Sequence, residues 1–188
     1  MPIRPICITG EPVLHRRANE VVAFNQELRN LVADMYETMD AAPGVGLAAP
    51  QVGVGLRVFV YDYPDEDGNE RRGVVINPVL EVGAIESEPA DEETESEGCL
   101  SVPGERFALK RADRVVVTGL DLNQNPVRIE AQGWYARIFQ HEFDHLEGIL
   151  YVDRLTEPWK SMADAAIHEE NWGKPGLSWL PGRDHLED

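Results

Sequence analysis

Two histidines and a glutamate lie close together in the segment His141-Glu-Phe-Asp-His145. In an α-helix four residues correspond to about 400° of rotation, so the two imidazoles face the same side and can bind one cation together. Glu142 is rotated by about 100° from His141, which places its carboxylate beside the cation rather than on it. A bound divalent ion lowers the pKa of its water towards ~7, and Glu142 can accept the proton. The segment therefore predicts a metal-dependent hydrolase.

The third metal ligand is not evident from this segment, and a catalytic site of this kind usually has three protein ligands and one open position. The long metalloprotease pattern requires a third histidine where this chain has Tyr151, which excludes that variant. Glu169 or Glu170 could supply a carboxylate, as in a metallo-endopeptidase. Cys99 could supply a thiolate, or it could be a buried structural cysteine. The residues alone leave these alternatives open, together with a binding protein that holds a structural metal.

A second segment, Gly44-Val-Gly-Leu-Ala-Ala-Pro-Gln51, contains two glycines and a proline. Glycine lets the backbone approach a ligand closely, and the Gln51 amide could donate to the oxyanion that forms when a carbonyl is attacked. A Gly-Pro turn with an incidental glutamine is the alternative interpretation. The segment cannot form a regular helix or a central strand, and it lacks the Gly-Lys-Ser/Thr ending of a phosphate-binding loop.

The elements that would position these residues follow from hydrophobic periodicity. A helix is predicted from Asn25, a plausible N-cap, and a second from Gly133 to Glu147, stopped by Gly148. A third is predicted from Thr156 to about Glu170. Strands are predicted at Arg57–Tyr61, Val74–Leu80, Arg114–Thr118 and Val127–Glu130. We expect an α+β fold in which antiparallel β-sheets pack around the helix that carries the histidines.

Length and charge restrict the class of protein. The 188 residues fit a single domain over 1–188, with a core at about 3–156 and residues 157–188 forming a C-terminal helix and a tail rich in Gly, Pro and Trp. No apolar run approaches the ~20 residues of a membrane span, and the N-terminus does not resemble a secretory signal, so we expect a cytoplasmic protein. The net charge of −17 argues against direct nucleic-acid binding. Residues 81–97, with eight acids and no base, are expected to form a solvated loop or edge strand.

Three segments together resemble the peptide deformylases. They are Gly44–Gln51, Glu97-Gly-Cys-Leu-Ser101 and Gln140-His-Glu-Phe-Asp-His-Leu-Glu-Gly148, in the order and at the approximate separations of that family. The resemblance covers about residues 3–156. It implies one divalent metal, Fe²⁺ first and Ni²⁺, Co²⁺ or Zn²⁺ as substitutes. The residues that it implies as metal ligands are Cys99, His141 and His145.

The resemblance also implies a reaction, in which the N-formyl group of the initiating methionine of new polypeptides is hydrolysed and formate is released. Glu142 would be the general base and acid, and the Gln51 amide and Leu100 N–H would hold the formyl oxygen. The backbone at Val45 and Gly46 would pair with the extended substrate. The residues implied to line the methionine pocket or contact the substrate are Val45, Trp134, Ile138 and Arg106, although Trp134 is equally expected in the core and Arg106 in a surface salt bridge.

The C-terminal region departs most from the family pattern. In some bacterial members a basic C-terminal helix docks on the ribosome, whereas residues 157–188 here are acidic and then Gly/Pro/Trp-rich. The ending Trp172–Gly182 resembles that of actinobacterial members. We expect a monomer that acts on N-formylmethionyl polypeptides at the ribosome. We do not expect this tail to dock the protein on the ribosome.

Overall fold

The computed structural model describes residues 2–186, and within them it contains three α-helices and nine β-strands. The helices are α1 (Gln26–Ala41), α2 (Gly133–Leu146) and α3 (Trp159–Glu169). The strands are β1 (Ile6–Cys7), β2 (Gly46–Ala48), β3 (Val58–Asp62), β4 (Arg72–Val82), β5 (Ser96–Cys99), β6 (Val102–Ala108), β7 (Arg114–Leu120), β8 (Pro126–Gln132) and β9 (Ser178–Trp179). None of the helices described in residues 2–186 is long and apolar enough to cross a membrane.

The main sheet has five antiparallel strands in the order β2-β3-β4-β7-β8, and two smaller sheets pair β5 with β6 and β1 with β9. Strand β3 is buried on both faces of the sheet. Its successive side chains point to opposite faces and so enter two different cores. Val58 and Val60 pack in the core formed with α1, whereas Phe59 and Tyr61 pack in the core formed with α2. The predicted α+β class, with antiparallel sheets around the histidine-bearing helix, is confirmed.

Two of the predicted helix boundaries have the expected capping geometry. The Asn25 side chain accepts a hydrogen bond from the Leu28 N–H at 3.1 Å and so satisfies a free donor at the start of α1. Gly148 follows the end of α2 with φ of +75°, the left-handed conformation that glycine adopts without strain. Any β-carbon at Gly148 would lie 2.6 Å from the Arg16 backbone, so this stop is also required by packing.

Three of the strands that periodicity did not predict, β2, β5 and β6, contribute residues to the wall of the site. The acidic region 81–97 begins as the end of β4, continues as an irregular exposed segment and ends as β5. Strands β5 and β6 form a tight hairpin in which Cys99 pairs with Val102. The Gly44–Gln51 segment contributes β2 at the edge of the main sheet, followed by a 3₁₀ turn over Ala49–Val52, which agrees with the prediction that it forms neither a regular helix nor a central strand.

The C-terminal segment packs on the rest of the chain. Strand β9 pairs with β1, with Trp179 opposite Ile6, and Trp179 is one of the largest fully buried side chains. Ala163 of α3 is also buried. The predicted division between a core ending near residue 156 and a C-terminal tail stays a prediction. Trp179 of the tail packs in the hydrophobic cluster formed with α1.

Candidate metal centre

Helix α2 brings the two predicted histidines onto one face, as the four-residue spacing requires. The Nε2 atoms of His141 and His145 lie 3.1 Å apart, and the two ring centroids are separated by 4.8 Å. Burial, with a smaller contribution from nearby His141, lowers the pKa of His145 well below its usual value. The neutral ring that results is the form that binds a metal.

Cys99 on β5 completes this cluster. Its Sγ lies 3.4 Å from His145 Nε2, and the ligand atoms of Cys99, His141 and His145 all lie within 4.8 Å of one another. Glu169 and Glu170, the other candidates for the third ligand, are exposed at the end of α3. The geometry therefore favours the Cys99 thiolate as the third ligand. The alternative of an endopeptidase with a downstream glutamate is not favoured.

The side chain of Glu97 fixes the orientation of His141. Its Oε1 lies 2.6 Å from His141 Nδ1, which leaves Nε2 directed at the cluster. Burial alone would raise the pKa of Glu97, but Arg111 and then His141 hold it well below its usual range. Arg111 and Arg137 both donate to this carboxylate. Glu97 is thus an ionised partner of a candidate metal ligand.

A second carboxylate extends this buried network. The Arg111 guanidinium bridges Glu97 and Asp144, with a 2.6 Å contact to Asp144 Oδ2. Arg154 donates to both oxygens of Asp144 at 2.6 Å. Asp144 and Glu97 are almost fully buried, and these guanidinium groups supply their ion-pair partners. The network connects β5, the segment after β6 and helix α2 beneath the site.

Glu142 points into the site from α2 and has little freedom to move. A β-carbon at Gly46 would lie 2.3 Å from Glu142 Oε1, so only glycine leaves room for this carboxylate. Glu142 Oε2 is buried and has no hydrogen-bond partner within residues 2–186, which is costly unless a ligand or water supplies one. Burial raises the pKa of Glu142 to about 7, a value suited to proton transfer near neutral pH.

The amide of Gln51 has a fixed orientation. Its Oε1 accepts the Ala48 N–H at 2.9 Å, so its Nε2 is directed at the cluster. That nitrogen lies 3.3 Å from Ser101 Oγ and 3.8 Å from Cys99 Sγ. The Gln51 side chain is 1% exposed, and this burial excludes the interpretation of an incidental surface glutamine.

A cavity of about 490 Å³ opens onto these groups. Its walls include ten of the eleven predicted site residues, all except His145: Val45, Gly46, Gln51, Cys99, Leu100, Arg106, Trp134, Ile138, His141 and Glu142. The cavity is therefore the place where every predicted contact with a substrate converges.

The predicted pocket residues differ in exposure. Ile138 is buried in the wall, whereas Val45 and Trp134 are 45% and 41% exposed at the mouth, so Trp134 is not a core residue. Arg137 lies over the Trp134 ring at 5.1 Å from its centroid. Arg106 donates to the Ser96 carbonyl, and among residues 2–186 it does not form the surface salt bridge that was the alternative.

Comparison with known proteins agrees with this geometry. The profile of the family described as "Polypeptide deformylase" matches residues 3–161. The chain belongs to the peptide deformylase family. A peptide deformylase of Mycolicibacterium paratuberculosis is 53% identical over 97% of this chain and 96% of that protein. Peptide deformylase 2 of Corynebacterium efficiens is 51% identical over 98% of this chain and 96% of that protein. The predicted resemblance, including its actinobacterial character, is confirmed.

Solved structures of peptide deformylases share the fold. The peptide deformylase of Ehrlichia chaffeensis in complex with actinonin superposes with a TM-score of 0.78 and 38% identity, covering 91% of this chain and 97% of that chain. The enzyme of Thermus thermophilus gives a TM-score of 0.74 at 38% identity, covering 89% of this chain and 95% of that chain.

Several residues of the site were not predicted individually. Glu97 lies two residues before Cys99 on a strand, where alternate side chains share a face, and this spacing was the available signal. Asp144 lies within the histidine motif, three residues after His141. Arg111 and Trp179 had no such signal, because each contacts the site through residues that are distant from it in sequence.

Proposed function

We propose that this chain hydrolyses the N-formyl group from the N-terminal formylmethionine of newly made polypeptides and releases formate. The observation that carries the proposal is a cluster of three candidate ligand atoms beside a cavity that a buried carboxylate and an oriented amide line. Membership of the peptide deformylase family supports the same reaction.

The residues of the site fit a divalent metal held by Cys99, His141 and His145. One sulfur and two imidazole nitrogens form a soft donor set that suits Fe²⁺, Co²⁺, Ni²⁺ or Zn²⁺. Burial alone would lower the pKa of His141, but Cys99 and then Glu97 raise it well above its usual value. The surroundings of the His141 ring therefore favour a positive charge. We propose Fe²⁺ as the metal in the cell. When bound, the metal acts as a Lewis acid and makes water nucleophilic at neutral pH.

Side-chain and backbone groups of the protein supply proton transfer and stabilise the developing negative charge. Glu142 accepts a proton from the water whose oxygen bonds to the formyl carbon, and it transfers that proton to the amine nitrogen as the carbon–nitrogen bond breaks. The Gln51 amide and the Leu100 N–H donate to the formyl oxygen as it becomes negative. The peptide leaves with a free α-amine, and the former formyl group leaves as formate.

The substrate peptide adds to the open edge of β2. Because Val45 O accepts the Asp62 N–H, the alternating pattern of an antiparallel ladder turns the backbone groups of Gly46 towards this edge. The methionine side chain enters the cavity against Ile138, with Val45 and Trp134 at its mouth. Arg106 lies in the wall where the following residues of the peptide would pass.

The partners that we propose are N-formylmethionyl polypeptides emerging from the ribosome. A net charge of −17 argues against direct contact with a nucleic-acid backbone, so access would depend on the nascent chain. We propose that the chain works as a monomer in the cytoplasm.

Formate release from a formyl-Met-Ala-Ser peptide tests the function. Protein prepared without air and loaded with Fe²⁺, Co²⁺, Ni²⁺ or Zn²⁺ in turn should release one formate per peptide, and Cys99→Ala and Glu142→Ala should each lose at least about hundredfold in kcat. Glu169→Ala is the matched control and should retain full activity. Full activity of Cys99→Ala, or loss of activity in Glu169→Ala, would refute the assignment.

A further inference from the structure

The C-terminal tail packs against the loop that follows Cys99, one of the candidate metal ligands. Trp179 is 1% exposed, and its indole Nε1–H donates a 2.8 Å hydrogen bond to the carbonyl oxygen of Leu100. The tail is held there by backbone pairing, since β9 lies beside β1 and the Ile8 N–H donates to the Leu177 carbonyl at 3.0 Å. This contact joins residues 79 positions apart in the chain.

The contacted carbonyl belongs to a peptide group that also touches the sulfur of Cys99. The Leu100 carbonyl and the Ser101 N–H are the two ends of one planar unit. The Ser101 N–H donates to Cys99 Sγ at 3.4 Å. The indole of Trp179 and the thiol of Cys99 therefore hydrogen-bond to opposite ends of the same rigid group.

A second set of contacts restricts the same loop. The Ser101 carbonyl accepts the Thr9 N–H at 2.8 Å, and Thr9 follows the strand that pairs with the tail. The Ser101 hydroxyl also contacts Gln51 Nε2 at 3.3 Å. The loop is thus fixed by the N-terminal segment and by the amide of the site, while Trp179 supplies the direct contact to its central carbonyl.

We propose that Trp179 is a positioning residue for the metal centre, acting through the Leu100–Ser101 peptide group on the Cys99 sulfur. This inference rests on the proposed function. A hydrogen bond to a carbonyl polarises its peptide group, and the N–H at the other end becomes a stronger donor. A thiolate that accepts a stronger hydrogen bond gives less electron density to a bound metal, so the indole tunes the metal–sulfur bond as well as its direction.

A merely structural role for Trp179 predicts a different outcome. A buried indole N–H needs an acceptor and a large ring fills the core, so removing either lowers stability whatever the site does. Only a positioning role predicts that loss of the N–H alone alters the metal–thiolate bond. Stability and the spectrum of the metal centre must therefore be measured together.

The test uses cobalt-loaded full-length protein with Trp179→Phe, which keeps an aromatic ring and removes the N–H. The matched control is Trp172→Phe in the same tail, whose indole N–H has no acceptor among residues 2–186. The readouts are the thiolate-to-cobalt charge-transfer and ligand-field absorption bands, the rate of cobalt loss to a chelator, and kcat and KM for a formyl-Met peptide.

We expect the bands of Trp179→Phe to shift, cobalt loss to accelerate about fivefold and kcat to fall about fivefold with KM within about twofold, as loss of one net hydrogen bond implies. Trp172→Phe should match the wild type in all three. Wild-type bands and a wild-type rate of cobalt loss in a folded Trp179→Phe protein would overturn the inference. If that variant does not fold, 3-benzothienylalanine placed at position 179 preserves the ring shape without the N–H and is judged by the same criteria.

The same experiment separates this inference from the proposed function. A wild-type protein that binds cobalt through sulfur and releases formate keeps the function even if Trp179→Phe has no effect. A wild-type protein whose cobalt spectrum has no thiolate band, or is unchanged in Cys99→Ala, refutes the metal centre itself.

Discussion

Substitution of Gly46 by alanine gives the sharpest test of the site, because the consequence follows from one measured distance. The added β-carbon would lie 2.3 Å from Oε1 and 2.8 Å from Cδ of Glu142. Ordinary contacts of a β-carbon begin at 3.4 Å, so the carboxylate must retreat by 3.4 − 2.3, or about 1 Å. The side chain of Glu142 is buried, and the shift must also displace its neighbours.

The expected loss of activity follows from this displacement. A misplacement of about 1 Å in a catalytic group can cost about 10²-fold, so kcat for formate release should fall about hundredfold in Gly46→Ala. That factor equals about 2.7 kcal/mol in transition-state stabilisation. KM should change much less, because the β-carbon points at Glu142 and not along the open edge of β2. Cobalt binding through Cys99 should persist, since no ligand is touched.

Gly55→Ala is the matched control for this prediction. A β-carbon there would meet its nearest neighbour, Val13, at 3.8 Å, an ordinary contact. We expect wild-type kinetics and a nearly unchanged melting temperature. A folded Gly46→Ala protein with kcat within about threefold of the wild type would refute the claim that Gly46 positions Glu142, since 1 Å should cost far more.

Three further predictions concern the supports of the site. Arg111→Met deprives two buried carboxylates of their shared cation and should lower the free energy of unfolding in urea by about 3–5 kcal/mol; a loss below about 1 kcal/mol would contradict the network. Arg183→Met, at an exposed ion pair, is its control and should leave the urea midpoint unchanged. Treatment with a chelator should lower the melting temperature of the wild type but not of Cys99→Ala, because a metal that binds only the native state stabilises it; equal shifts would exclude Cys99 as a ligand. Asn25→Ala removes the cap of α1 and should cost about 1 kcal/mol in the same urea titration, whereas an unchanged midpoint would show that the cap does not contribute.

Much of the local structure could be predicted from the sequence, because it depends on interactions between near neighbours. The cap at Asn25, the stop at Gly148 and the main strands follow from residue type and short-range periodicity. The pairing of His141 with His145 follows from helical rotation alone. Periodicity could not predict β1, β5 and β9, which are too short to show a repeat, and β1 and β9 pair with each other across most of the chain.

The helix segment with two histidines and a glutamate determined by itself that two imidazoles share one helical face with a carboxylate beside them, the arrangement that predicts a metal site with a proton acceptor. It did not determine the third ligand, because residues alone allowed Cys99 as well as Glu169 or Glu170. The fold favours Cys99, since β5 carries it to within 3.4 Å of His145 Nε2 while both glutamates are exposed. The Gln51 amide shows both effects, since the local hydrogen bond from the Ala48 N–H decides which end of the amide faces the site, whereas the fold places Cys99 and Ser101 beside its Nε2. A local pattern specifies the face of one element, whereas the distances between elements depend on the packing of the whole chain.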